Sequence, residues 1–248
     1  MKKSGKTKLS LFASLLCVGM WLSNAQAATK QEDGGFFPPD MDDRLEVNIS
    51  DPLEPWNRFW FQVNDTVYEY ILRPVARGYA EVVPTGGRVA VADFFHNLLM
   101  PVRFTNSLLQ GKAEQAVVEV ERFGINTVMG GLGFIDVAEI HFQLHRNDED
   151  LGQTLGVYGV GDQVYLVWPI LGPSNLRDSV GKIGDSFLSP LTYVPEDDWA
   201  RVGIEAFSRV NKTSLMMGDY DNMRTSSLDP YVAVRHAYTA NRAEKISK

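Results

Sequence analysis

The chain has 248 residues, 44% of them hydrophobic and 22% charged, enough for one large domain or two small ones with a sizeable core. Its formal net charge is −7, and removal of the first 27 residues, which hold four Lys and no acid, makes it 20 − 31 = −11. So acidic a chain argues against nucleic acid, and against any anionic surface bound through charge.

The first residues, MKKSGKTK, are basic, and LSLFASLLCVGMWL is an apolar run of the length an export signal needs. SNAQA then ends in Ala-x-Ala at Ala25 and Ala27, which predicts cleavage after Ala27. An uncleaved anchor is the alternative, but the run is shorter than the roughly 18–20 residues of a span. Cys17 is the sole cysteine, so no intramolecular disulfide can form. It lies inside the apolar run, preceded by Leu15 and Leu16, whereas lipidation calls for a small residue just before the cysteine. Beyond residue 28 no stretch is long and apolar enough to span a bilayer, so membrane contact would be interfacial or confined to one leaflet.

Residues 28–50 are acidic, polar and Pro/Gly-bearing, and read as a flexible leader. Asp51-Pro52 predicts a helix cap with Pro at the first helical position. Trp56, Phe59, Trp60, Val63, Val67, Tyr70 and Ile71 follow at helical spacing, and Pro74 ends or kinks that helix. A second helix is expected after residues 84–87, interrupted by Pro101 and extending toward Gly111. The clearest helix is 112–129, with Ala113, Ala116, Val117, Val120, Phe123 and Val128 on one face. GGLGF then stops it through Gly130, Gly131 and Gly133. Residues 141–150 read as a polar loop and 163–168 as the one plausible strand. Asn175 can cap a short helix to Leu188, Pro195 precedes a helix from Glu196 to about Met217, and Asp229-Pro230 opens the last one. The pattern gives one mainly α-helical domain broken by Gly and Pro, over 51–243, behind a signal peptide (1–27) and the leader (28–50).

Signals for chemistry are weak. His141 and His145 stand four apart with Asp148, Glu149 and Asp150 just beyond, a spacing that can hold a metal on a helix. Position 142 is Phe, though, which breaks H-E-x-x-H, and the segment reads as a solvated loop. There is no G-x-S-x-G elbow around Ser107 or Ser174 and no P-loop, and Gly156-x-x-Gly159-x-Gly161 lacks the strand and the Lys-Ser/Thr of a phosphate cradle. Gly152-xxx-Gly156 fits either close helix approach or a series of turns. Trp56, Trp60, Tyr68, Tyr70, Tyr158, Tyr165 and Trp168 have polar tips that suit a membrane interface or an ordinary core.

Six stretches in order, DPLEPWNRFWFQVND (51–65), RPVARGY (73–79), VADFFHNLLMPVRFTNSLLQGK (91–112), RFGINTVMGGLGFIDVA (122–138), EDLGQTLGVYGVGDQVYLVWPILGPSNLRDSVG (149–181) and SSLDPYVAVRHAY (226–238), resemble the MlaA (VacJ) family. The resemblance implies a ring-like helical domain embedded in the inner leaflet of the cell outer membrane, facing the periplasm. It implies an amphipathic channel that takes phospholipids from the outer leaflet to a periplasmic lipid carrier protein and so maintains lipid asymmetry, beside outer-membrane porin trimers. No enzyme chemistry, cofactor or metal is expected. On this reading residues 150–172 form channel wall and leaflet contact, with Leu151, Leu155, Tyr158, Val160, Tyr165 and Trp168 as wall residues. Gly130, Gly131, Gly133 and Phe134 would form a mobile apolar gate. Family members are usually lipoproteins tethered through an acylated cysteine; Cys17, with Leu at both preceding positions, departs from that pattern. A soluble periplasmic lipid-binding module is the alternative, extractable by a salt wash that rim burial would resist. A lipid hydrolase would need an activated nucleophile that no motif supplies.

Overall fold

The computed structural model describes residues 51–194 and 196–248; the expected signal peptide and leader, Cys17 and Pro195 lie outside the described residues. The first helix, α1 (Glu54–Val67), begins two residues later than the Asp51 cap would place it, and Leu53 at its start makes no side-chain cap. Asp51 instead accepts hydrogen bonds from Asn57 Nδ2 at 2.8 Å, Arg235 Nη1 at 3.0 Å and the Tyr231 hydroxyl, tying the segment before α1 to the last helix. A tertiary ion pair outcompetes the local cap here. Pro74 does not end the helical run. Residues Tyr68–Leu72 form a π-helical turn, in which Arg73 N–H donates to the Tyr68 carbonyl five residues back, and α2 (Arg73–Val82) carries Pro74 in its first turn.

The run 85–109 divides at Leu99 into α3 (Thr85–Leu98) and α4 (Met100–Leu109), with Pro101 in the first turn of α4, where a missing N–H costs nothing. Helix α5 (Ala113–Val128) follows the expected limits. A short α6 (Val137–Phe142), capped by the Asp136 carboxylate, takes the start of what read as loop. Then come α7 (Leu151–Val157), β1 (Tyr165–Trp168), β2 (Gly172–Asn175), α8 (Leu176–Ser186), a 3-10 turn (Pro190–Thr192), α9 (Asp198–Ser226) and α10 (Pro230–Ser247). Asn175 and Asp229 cap their helices as expected, Asn175 Oδ1 accepting from Asp178 N at 2.6 Å and Asp229 Oδ1 from Tyr231 N at 3.0 Å. Helix α9 runs nine residues past the expected end at Met217.

The strand expected at 163–168 pairs antiparallel with a partner read over GPSN, Tyr165 facing Asn175 and Trp168 facing Gly172. Ile170 and Gly172 make the reversal at positive φ of 61° and 84°. A two-stranded ribbon leaves an edge of unpaired backbone. Two asparagines of α1, seven apart on one face, cover it. Asn57 donates to the Tyr165 carbonyl (3.0 Å) and accepts from Val167 N (2.8 Å), and Asn64 does the same for Trp168 O (2.8 Å) and Ile170 N (2.6 Å). Tyr165, Val167, Tyr231 and Tyr238 form an apolar cluster there, joined by Trp60, Phe61 and Val232.

Elsewhere the usual polarity is reversed. Among the described residues, thirteen apolar side chains are buried against twenty-five polar or charged ones. In α5 the buried residues are Ala116, Glu119, Arg122 and Asn126, whereas Val117, Val120 and Val128 point outward. In α8 they are Arg177, Asp178, Ser179, Lys182 and Ser186, with Leu176, Val180, Ile183 and Phe187 outside. Helix α4 buries Arg103, Asn106 and Ser107 and exposes Leu108 and Leu109. The helical periodicity read from the sequence is present, but its apolar face is turned away from the protein.

Candidate functional site

The inward faces meet in chains of ion pairs. Arg103 Nε lies 2.7 Å from Glu119 Oε2, joining α4 to α5. Arg122 Nη2 and Arg146 Nη2 reach Asp136 Oδ2 at 2.7 and 2.6 Å, and Arg146 continues to Asp93 Oδ1 at 2.5 Å. Burial alone would raise Asp136, but Asn126 and the two guanidinium groups hold its carboxyl down at about 2. Arg242 of α10 holds Asp150 Oδ2 at 2.6 Å and Asp178 Oδ2 at 2.8 Å, bringing the cap of α7 and the first turn of α8 together. For Asp150, too, burial is outweighed by Arg242 and by hydrogen bonds from Gln153, leaving the carboxyl far below its usual range. Removing one partner of such a pair strands a buried charge, at a typical cost of about 3–5 kcal/mol. Polar groups therefore hold the helices together where a soluble domain would use Leu and Val.

The stretch 151–168 can now be placed. Residues 152–156 are helical, and both glycines are close contacts: a Cβ at Gly152 would lie 2.5 Å from Asp178 Oδ1 and 2.8 Å from Arg242 Nη2, and one at Gly156 2.6 Å from Ile246 Cδ1. A Cβ at Gly181 of α8 would run into the backbone of Gly152. Between close helix approach and a turn series, the structure shows the first, with α7 laid on α8 and α10. Leu151 packs over Gly184, and Leu155 is half-buried. Tyr158 is 61% exposed and its hydroxyl donates to the Leu109 carbonyl. The Val160 carbonyl accepts from Arg177 Nη1 at 3.2 Å. Tyr165 is buried in the aromatic cluster, and Trp168 is half-buried with Nε1 donating to Ser179 Oγ at 2.9 Å.

Gly130, Gly131, Gly133 and Phe134 lie apart from these, in the turn after α5 that packs on α3. Gly131, Leu132 and Gly133 all take positive φ (61°, 63° and 94°). Gly133 N donates to Asn126 O at 2.8 Å and Ile135 N to Gly130 O at 3.0 Å, and a Cβ at Gly133 would meet the Asn97 side chain at 2.5 Å. Phe134 stacks on Phe94 with centroids 4.8 Å apart and is 41% exposed. Leu132 and Ile135 stand out beside it.

His141 falls in α6 and His145 beyond it, where His145 Nδ1 lies 2.9 Å from Glu139 Oε1 in an exposed pair. Among the described residues no three His, Cys, Asp or Glu side chains are placed to hold a metal ion. The residues that sequence reasoning missed are the inward charges. Their signal was present, since Glu119, Arg122 and Asn126 recur at helical spacing along α5, interleaved with Val and Ile.

In this helical domain polar side chains converge inside while Val128, Val82 and Trp199 are more than 80% exposed outside, a distribution suited to lipid at the outer face. Among the described residues no helix is long and apolar enough to cross a bilayer. The chain belongs to the MlaA lipoprotein family, whose model matches residues 49–245. It is 39% identical over 196 residues to the intermembrane phospholipid transport system lipoprotein MlaA of Escherichia coli, covering 76% of this chain and 75% of that one. To the protein of the same name from Haemophilus influenzae it is 34% identical over 203 residues, 80% of each. A solved structure described under the structural basis for maintenance of bacterial outer membrane lipid asymmetry matches with a TM-score of 0.70 at 34% identity, covering 79% of this chain and 99% of that one.

Proposed function

We propose that this protein is a component of an intermembrane phospholipid transport system, held in the inner leaflet of the outer membrane on its periplasmic side. It draws phospholipids from the outer leaflet through an amphipathic channel and delivers them to a periplasmic carrier, beside porin trimers. The observation that carries this reading is the reversed polarity: an outer surface of Val, Ile, Leu and Phe around a charged interior. Lipid tails solvate the first, and the second suits the head group of a lipid in transit. A soluble lipid-binding module would put its apolar residues around an internal cavity and its charges outside. Ser107 and Ser174 are fully buried, out of reach of an ester bond, which favours transport over hydrolysis. The channel wall is assigned to the segment around Leu155 and Tyr158, and the gate to the turn 130–134.

The test is deletion of the gene followed by labelling of whole cells with an impermeant amine reagent. Deletion should raise phosphatidylethanolamine at the cell surface, and the wild-type chain should restore it. Unchanged surface lipid would refute the proposal. A photo-crosslinker at Leu155 should capture phospholipid while one at the exposed His145 should not.

A further inference from the structure

Between Glu121 and His141 the charged side chains are turned in. Arg122 and Asp136 are buried against each other, and Glu139 is half-buried on Arg122. The exposed side chains of that stretch are Val128, Met129, Leu132, Phe134, Ile135 and Ile140. Val128, the last residue of α5, stands about 9 Å along the helix from Arg122, and the turn projects beyond it. That turn closes its own backbone. Leu132 N donates to Thr127 O at 3.0 Å, Gly133 N to Asn126 O at 2.8 Å, Ile135 N to Gly130 O at 3.0 Å and Ala138 N to Asn126 Oδ1 at 2.9 Å. Water would pair exposed amides without such closure, whereas hydrocarbon demands it. Leu132 holds φ at 63° with 64% of its surface open. Gly, Asn or Asp suits that conformation, and a turn in water gains nothing from Leu there. Gln143 and Gln163, also at positive φ, follow the polar rule. Ile170 shares the combination seen at Leu132, but its carbonyl holds Arg209 Nη1 at 2.8 Å, which keeps a charge at the ribbon tip.

The other exposed apolar stretches are interrupted by charge. Exposed Glu196, Asp197 and Asp198 flank Trp199, Arg77 and Glu81 lie among Val75 and Val82, and Glu114 and Glu121 among Val117 and Val120. The outer face of α8 is free of exposed charge, but it runs into Tyr193 and the same three carboxylates. We propose that the turn 129–135 is a wedge seated among the acyl chains of the leaflet, the deepest-set part of the described chain, with Trp199 at head-group level. The hydrocarbon of one leaflet is about 15 Å thick. With the buried Arg122–Asp136 pair at its polar edge, the tip of the wedge passes the middle of that layer. The proposal rests on the transport reading and deepens it: the turn assigned as the gate stands among lipid tails, and its closed hydrogen bonds make it move as one body.

The test places a nitroxide label at Leu132→Cys or Trp199→Cys in the full-length protein, bound to vesicles of phosphatidylethanolamine and phosphatidylglycerol, with the unsubstituted chain as the background from Cys17. Dissolved oxygen should relax the label at 132 while a water-soluble nickel chelate does not, and the label at 199 should show the reverse. Leu132→Asp, whose side chain suits the positive φ, should keep the melting temperature in detergent and weaken partitioning into those vesicles about a hundredfold, as for a carboxylate carried to membrane depth. Gln143→Asp puts the same charge on a polar turn, also at positive φ, and should partition like wild type. Nickel access at position 132 in vesicle-bound protein would overturn the wedge and leave the transport reading standing. Shielding from both reagents would overturn it as well, a second copy of the chain then covering the turn, and so would equal partitioning of Leu132→Asp and wild type. Failure of wild type to bind the vesicles at all would bring down the transport reading and the wedge together.

Discussion

The outward face of α5 offers a direct test of the reversed polarity. Val117, Val120 and Val128 leave 57%, 47% and 83% of their surfaces outside the protein, and Gly124 lies on the same stripe. Together they present a little less than two whole valine side chains. At about 1.5–3 kcal/mol per transferred side chain, contact with lipid is worth roughly 3–6 kcal/mol. Replacing all three by Ser should therefore weaken partitioning into phospholipid vesicles at least about a hundredfold. The lipid concentration is titrated so that the whole curve is compared and not its plateau. The same change should hardly affect folding, because these side chains make few contacts with the protein. In detergent the melting temperature should move by about 6 °C or less. Unaltered partitioning combined with a collapse in melting temperature would show that the valines pack on protein, and the lipid-facing rim would be refuted.

The interior makes two further predictions. Asp185 accepts from Leu151 N at 3.0 Å and Asn106 Nδ2 at 2.8 Å, and burial, aided by the Asp150 charge, pushes its carboxyl up to about 7. Its contribution to stability is full below the unfolded value near 3.9 and is lost as pH rises through 7, so Asp185→Asn should stabilise the protein at pH 8, by up to roughly 4 kcal/mol, but not at pH 4. Denaturant unfolding at the two pH values measures this, and parallel curves for the two proteins would refute it. Gly152→Ala places a methyl against Asp178 and Arg242 and should cost about 1–3 kcal/mol, whereas Gly203→Ala on α9, with open space around its Cβ, should stabilise by up to about 1 kcal/mol. Thermal melts giving the two the same sign would show that the α7–α8 approach is not tight.

Helical periodicity was legible because it depends only on which residues recur every three or four positions. Helix α5 and the caps at Asn175 and Asp229 follow from that and from side-chain chemistry within three residues. Misses occurred where a distant partner decided. Asp51 abandoned the cap of α1 for Tyr231 and Arg235, some 180 residues on. GPSN became a strand because the ribbon it completes is held by Asn57 and Asn64, not by β-propensity. At Pro74, expected to end or kink the helix, the break is local: a π-helical turn separates α1 from α2.

Of the site, the glycine contacts were half-legible. The spacing of Gly152 and Gly156 permitted close approach, but only the presence of Gly181 opposite made it so. The direction of each amphipathic face is a different matter, because a hydrophobic stripe has the same periodicity whether its neighbour is a protein core or an acyl chain. What distinguishes the two is the chemistry of the opposite face. In a soluble helix that face is solvated and its charges need no partners. Here Glu119 meets Arg103 and Arg122 meets Asp136, each pair joining two successive elements, 16 and 14 residues apart, with both sides buried. A charge so deep is tolerated only when paired, so each inward charge must have its complement on another helix. Complementary charges recurring within the polar faces of otherwise apolar helices are therefore the sequence-level mark of a domain folded polar side in.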